Sequence, residues 1–92
     1  MIHGFGATGS VFYTLVKYLR SYFRITTIDL LGLGASGRPP TFLPTEAKQC
    51  YDYYLMAIQA WARETDYDAE EFHLLGHSLG GHLSVLYSIR YP

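Results

Sequence analysis

Three times in 92 residues a short apolar run ends in a turn and a helical pattern follows it. The runs are Met1-Ile2-His3, Arg24 to Leu30 and Phe72 to Leu75. The middle one is rich in Ile and Thr, which favour extended backbone. Gly4 to Gly9 forms a glycine-rich turn after the first run. Ser10 can then cap a helix whose apolar positions are Val11, Phe12, Leu15, Val16 and Leu19. Leu31 to Pro44 contains Gly32, Gly34, Gly37, Pro39, Pro40 and Pro44, and reads as a loop. Thr45 can cap a second helix with the stripe Ala47, Tyr51, Tyr54, Leu55, Ile58, Trp61 and Ala62. A polar connection, Asp66 to Glu71, leads to the third run. The last helix is expected over Gly80 to Tyr91, stopped by Pro92. This alternation predicts the α/β class, with a three-layer arrangement, a mostly parallel sheet and right-handed crossovers. Three strands leave at least one edge open, and the first has almost no residues. The expectation is an incomplete domain over residues 1–92, a slice of one of roughly 250 residues.

Composition narrows the function classes. Seven Lys and Arg against eight Asp and Glu give a net charge of −1. By that balance the chain lacks the basic footprint of a nucleic-acid or anionic-membrane binder. Cys50 is the single cysteine, so an internal disulfide and a four-cysteine zinc cluster are both excluded. No apolar run reaches the roughly 18 residues of a bilayer span. The start lacks the basic and apolar regions of a signal peptide. The expected location is intracellular, either cytoplasmic or peripheral to a lipid surface. Nine tyrosines in so short a chain suggest rings meant for a larger interior.

Gly76-His77-Ser78-Leu79-Gly80 matches G-x-S-x-G and falls between the third apolar run and the last helix, the context this motif requires. Ser78 would sit on a sharp strand-to-helix turn that lifts its Oγ clear of the backbone. Glycines two before and two after are needed because neighbouring backbone crowds the turn. The bare pattern arises by chance in roughly a few per cent of chains this long; its placement makes it more specific. A serine nucleophile also needs two N–H donors aimed at the developing oxyanion. Leu79 N–H, following the serine, is one. His3-Gly4-Phe5-Gly6 offers the other, with Phe5 N–H the first choice and Gly6 N–H the second.

These blocks, with Ile28-Asp29-Leu30-Leu31-Gly32-Leu33-Gly34-Ala35-Ser36 between them, resemble successive blocks of α/β-hydrolase-fold enzymes. The D-L-L-G-x-G-x-S-x-R-P form and the closing Tyr87-Ser88-Ile89-Arg90-Tyr91-Pro92 look most like the lipid-acting subfamily. That subfamily comprises α/β-hydrolase-domain proteins four and five with their plant and protist relatives. The resemblance covers nearly all of this chain but only the early-to-middle third of the family's fold. It implies acyl-ester hydrolysis or acyl transfer on lipids such as lysophospholipids and N-acyl phospholipids, with no metal or organic cofactor. It implies Ser78 as nucleophile and structural motif roles for His3, Gly4, Asp29, Gly76, His77 and Gly80. Some subfamily members carry Asn at the nucleophile position and act as lipase co-activators; Ser78 favours the catalytic branch.

The family orders its triad as serine, acid, histidine. After Ser78 come no Asp or Glu and one histidine, His82. The acid and the general base are therefore expected outside this chain. His82 reads as a half-buried helix residue, His77 as a packing residue, and His73 lies roughly 16 Å upstream at strand rise. Asp29 reads as the residue that orders the glycine loop after it. Two other readings stay open. One is a non-catalytic fragment that binds lipid or a protein partner. The other is a dinucleotide module, since Gly4-Phe5-Gly6-Ala7-Thr8-Gly9 fits G-x-G-x-x-G with Asp29 about 20 residues on.

Overall fold

The structure is a computed structural model that describes all 92 residues. A single 3₁₀ turn, Gly9–Phe12, runs into helix α1, Tyr13–Leu19. Helix α2 is Ala47–Glu64, a second 3₁₀ turn covers Tyr67–Ala69, and helix α3 is Leu79–Arg90. The 18-residue α2 turns Tyr54, Leu55, Ile58 and Ala62 inward, the i, i+4, i+8 spacing of one helical face. From α3 the inward residues are Gly80, Leu83, Ser84 and Tyr87. Ile2, Leu30, Tyr54, Leu55, Ile58, Leu83 and Tyr87 form one core. Across α2 and α3, Tyr87 Oη donates to Gln59 Oε1 and the Arg90 guanidinium pairs with Asp52.

The three apolar runs meet, yet no strand forms. Two isolated parallel bridges join Ile2 to Ile28 and Ile2 to Gly76. Ile2 is the centre: its N–H donates to Leu75 O at 2.8 Å, and His77 N–H donates to its carbonyl at 3.1 Å. On the other side Ile28 N–H reaches Met1 O at 3.2 Å. The expected strand at Arg24 to Leu30 is thus corrected to a single bridge at Ile28, and that at Phe72 to Leu75 to a single bridge just beyond it, at Gly76. Both bridges fall on the one residue Ile2, so neither neighbour has the consecutive partners a ladder needs.

The helix starts also differ from expectation. Thr8, not Ser10, caps the first turn, its Oγ1 accepting Ser10 N–H at 3.3 Å. Glu46 occupies the cap position of α2 without a side-chain bond. Thr45 instead donates its N–H to Gln49 Oε1 at 3.0 Å, so the glutamine of the first turn reaches back to the chain. Only 14 of the 92 residues are buried. Phe5, Tyr13, Tyr22, Leu43 and Ile89 are each more than 70% exposed. A core this small offsets little of the conformational entropy lost on folding.

Candidate active site

Ser78 stands at the junction of the third apolar run and α3, with φ 55° and ψ −119°. A non-glycine residue holds such a conformation only when its surroundings enforce it, at a cost of about 1–3 kcal/mol. The enforcement is visible on both sides. A Cβ on Gly76 would lie 2.1 Å from Gly80 O, and one on Gly80 would lie 2.1 Å from Ile2 O. The first turn of α3 is therefore pressed against backbone at two points that tolerate only glycine. Gly80 N–H donates to His77 O at 2.9 Å and His82 N–H to Ser78 O at 3.1 Å, closing the turn. Ser78 itself is exposed.

The first loop arrives beside this serine. Gly4 is buried, and a Cβ there would meet Ser78 Cβ at 3.1 Å and His77 Nδ1 at 3.4 Å. Phe5 and Gly6 follow, exposed, and neither N–H donates a hydrogen bond within the chain. As the first residue of α3, Leu79 has an N–H without an intrahelical acceptor. The fold thus brings the His3–Gly6 loop and the Ser78–Leu79 turn together, 72 or more residues apart in sequence.

His3 fastens the loop. It is fully buried; its Nδ1 lies 2.7 Å from Gly4 O, and its Nε2 accepts Leu30 N–H at 3.0 Å. A nitrogen that accepts carries no proton, so the ring proton sits on Nδ1 and is donated to Gly4 O. Replacing His3 by Ala should leave Leu30 N–H buried without a partner. The expected cost is about 1–3 kcal/mol, read as a shift in the urea midpoint. A midpoint unchanged within error would show that His3 does not hold the loop.

Asp29 is the second fastener. Its Oδ1 accepts Gly9 N–H at 2.6 Å, its Oδ2 accepts Ala35 N–H at 2.9 Å, and Ser36 Oγ donates to its carbonyl. It joins the start of the first helical turn to the glycine loop. The Gly9 and Ala35 hydrogen bonds hold its carboxyl below the usual carboxylate range. A depressed folded value means the stabilisation is present above the unfolded value, about 4, and is lost as pH falls through the folded one. Acid should therefore weaken the chain below about pH 4, and Asp29→Asn should flatten that part of a melting-temperature profile taken from pH 5 to 2. An identical slope in the variant would assign the acid sensitivity elsewhere. The same geometry counts against a dinucleotide: Gly9 N–H, which a pyrophosphate would take, already serves Asp29.

Of the remaining histidines, His77 adjoins these groups. His77 is exposed beside Gly4, not the packing residue expected. His82 is exposed too, rather than half-buried, and stacks on Tyr51 of α2 with ring centroids 4.7 Å apart. No sequence pattern announced that pair. His73 meets Phe23 edge-on. No group of three or more His, Cys, Asp and Glu is placed to hold a metal ion. Cavities of about 530 and 800 Å³ lie along the Thr26–Ile28 segment and share Trp61; neither is lined by Ser78.

Residues 1–92 match the model of the alpha/beta hydrolase fold family from end to end, and the chain belongs to that family. Among curated proteins it is 41% identical over all 92 residues to the mouse (lyso)-N-acylphosphatidylethanolamine lipase, spanning 26% of that protein. It is 33% identical to the 1-acylglycerol-3-phosphate O-acyltransferase of Arabidopsis thaliana, spanning 21% of it, and 33% identical to the pig 1-acylglycerol-3-phosphate O-acyltransferase ABHD5, spanning 25%. The chain covers a fifth to a quarter of the length of these relatives. No solved structure matches it. The lipid-acting branch expected from the sequence is the one these relatives occupy.

Proposed function

We propose that this chain carries the nucleophile and oxyanion-binding half of a serine hydrolase or acyltransferase that acts on lipid acyl esters. The observation that carries the reading is the backbone of Ser78, held at φ 55° with the Gly4 loop packed on its Cβ. Ser78 Oγ attacks the acyl carbonyl, and the N–H groups of Leu79 and Phe5 receive the oxyanion, with Gly6 the second choice for Phe5. Attack forms the tetrahedral intermediate; its collapse expels the alcohol and leaves the acyl group on Ser78. Water then yields hydrolysis, and a lysolipid hydroxyl yields transfer. A serine hydroxyl is a weak nucleophile without an adjacent base. The histidine and the acid that move the protons come from outside residues 1–92, which form an incomplete domain. The lipid classes in the relatives' names, N-acylphosphatidylethanolamine and 1-acylglycerol-3-phosphate, support a phospholipid-type substrate. No metal or organic cofactor enters these steps. A fluorophosphonate probe tests the reading. In a polypeptide that supplies the histidine and acid, labelling should fall on Ser78; labelling on another residue would reject it.

A further inference from the structure

The seven cations of the chain are not spread evenly over it. Lys48, Arg63 and Arg90 each have a carboxylate within 4 Å, and Arg38 reaches Gly34 O at 3.5 Å. The other three, Lys17, Arg20 and Arg24, lie on α1 and the turn that follows it, and none has a carboxylate partner. All eight acidic residues fall at Asp29 or later, so residues 1–28 carry positive side chains only. The net charge of −1 conceals this segregation.

Helix α1 buries none of its own residues. Within α1 and its C-cap the spacing 13, 17, 20 is i, i+4, i+7, so Tyr13, Lys17 and Arg20 form one stripe, and Arg24 follows beyond the turn that ends the helix. All four are exposed, and the Arg24 guanidinium lies over the ring of Tyr67. Tyr18 of α1 and Tyr22 of the turn after it are also exposed, 66% and 80%. The inward side is separate: Phe12 is buried and Val16 and Leu19 are half-buried. The face turned to solvent therefore carries cations and tyrosines, with Val11, Leu15 and Phe23 also exposed and no carboxylate.

We propose that this face docks on an anionic lipid surface. Lysine and arginine there meet headgroup phosphates, and tyrosine rings settle at the boundary between headgroups and acyl chains. Lys17 and Arg20 with three tyrosines, all within residues 13–22, fit such an interface better than a nucleic-acid backbone, which calls for a longer cationic track. Docking on the substrate's own surface is independent of whether Ser78 is the nucleophile.

The test is co-sedimentation of the 92-residue chain with vesicles of phosphatidylcholine, with and without one-fifth phosphatidic acid. Binding should require the anionic lipid, weaken as salt rises, and fall on the order of fivefold for each cation removed. Lys17→Glu/Arg20→Glu should lose it, and Lys48→Glu/Arg63→Glu, the same charge change elsewhere, should retain it. Circular dichroism of each variant shows that loss of binding is not loss of fold. Equal binding to pure phosphatidylcholine, equal loss in both double variants, or binding to duplex DNA at the same salt as the vesicles would each overturn the proposal. Ser78→Ala should bind vesicles as the parent does, so failure of the catalytic reading leaves this result unchanged.

Discussion

Ser78→Ala, made in a polypeptide that provides the histidine and acid, should abolish fluorophosphonate labelling and lower acyl-ester turnover on the order of 10⁵-fold or more. Loss of the oxygen removes the bond-forming atom, while Leu79 and Phe5 N–H groups remain to bind the carbonyl. The informative companion is Ser78→Gly. Glycine adopts positive φ without a Cβ penalty, so relief at φ 55° should raise stability by about 1 kcal/mol while activity stays lost. Opposite movements of melting temperature and turnover would identify strain maintained for function. A glycine variant no more stable than the alanine variant would show that the turn is relaxed. The unaltered 92-residue chain should resist the probe, because no acid follows Ser78 and His82 is stacked on Tyr51. Rapid, saturable labelling of it would mean that a base is present here after all.

Gly80→Ala should be one of the two most damaging single methyls in the molecule. Its Cβ would stand 2.1 Å from Ile2 O and 2.6 Å from His3 O. Both are backbone atoms, and Ile2 is the residue that both other segments bridge. Neither α3 nor the first segment can yield without parting a hydrogen bond at Leu75 O or His77 N–H. Overpacking a core usually costs about 1–3 kcal/mol. Here the clash is with fixed backbone, so the cost should exceed that range and leave the variant unfolded. Gly76→Ala, 2.1 Å from Gly80 O, should behave alike, whereas Gly37→Ala, with nothing within 4 Å, should fold as the parent does. Cooperative thermal melting followed at 222 nm checks all three. A folded Gly80→Ala chain would show that α3 can stand off from Ile2.

The two variants divide the information in this chain. The positions of α2 and α3 were legible because helical periodicity is local: Tyr54, Leu55, Ile58 and Ala62 share a face whatever they pack against. The G-x-S-x-G turn was legible for the same reason, since five adjacent residues specify a tight turn. The candidate oxyanion loop could be proposed from His3-Gly4-Phe5-Gly6, because its glycines mark close backbone approach. None of these local signals could show what the turns approach. Thr8 rather than Ser10 caps the first turn, whose Gly9 N–H goes to Asp29, 20 residues away.

The contacts that assemble the site are of that second kind. His3 holding Leu30 N–H, Gly4 against Ser78, and Tyr51 stacked on His82 join residues 27, 74 and 31 positions apart. The same holds for the cationic face of α1: sequence spacing puts Lys17 and Arg20 on one stripe, but docking leaves that stripe without a carboxylate. Strands were expected at the three apolar runs, and the fold formed isolated bridges instead. Strand propensity is realised only when a partner supplies consecutive hydrogen bonds, and here both neighbours bridge the single residue Ile2. Local pattern thus set the helices and the turn at Ser78, because each depends on neighbours a few residues away. Chain docking set the caps, the buried histidine and the missing ladder, because a hydrogen-bond partner is chosen by what is near in space.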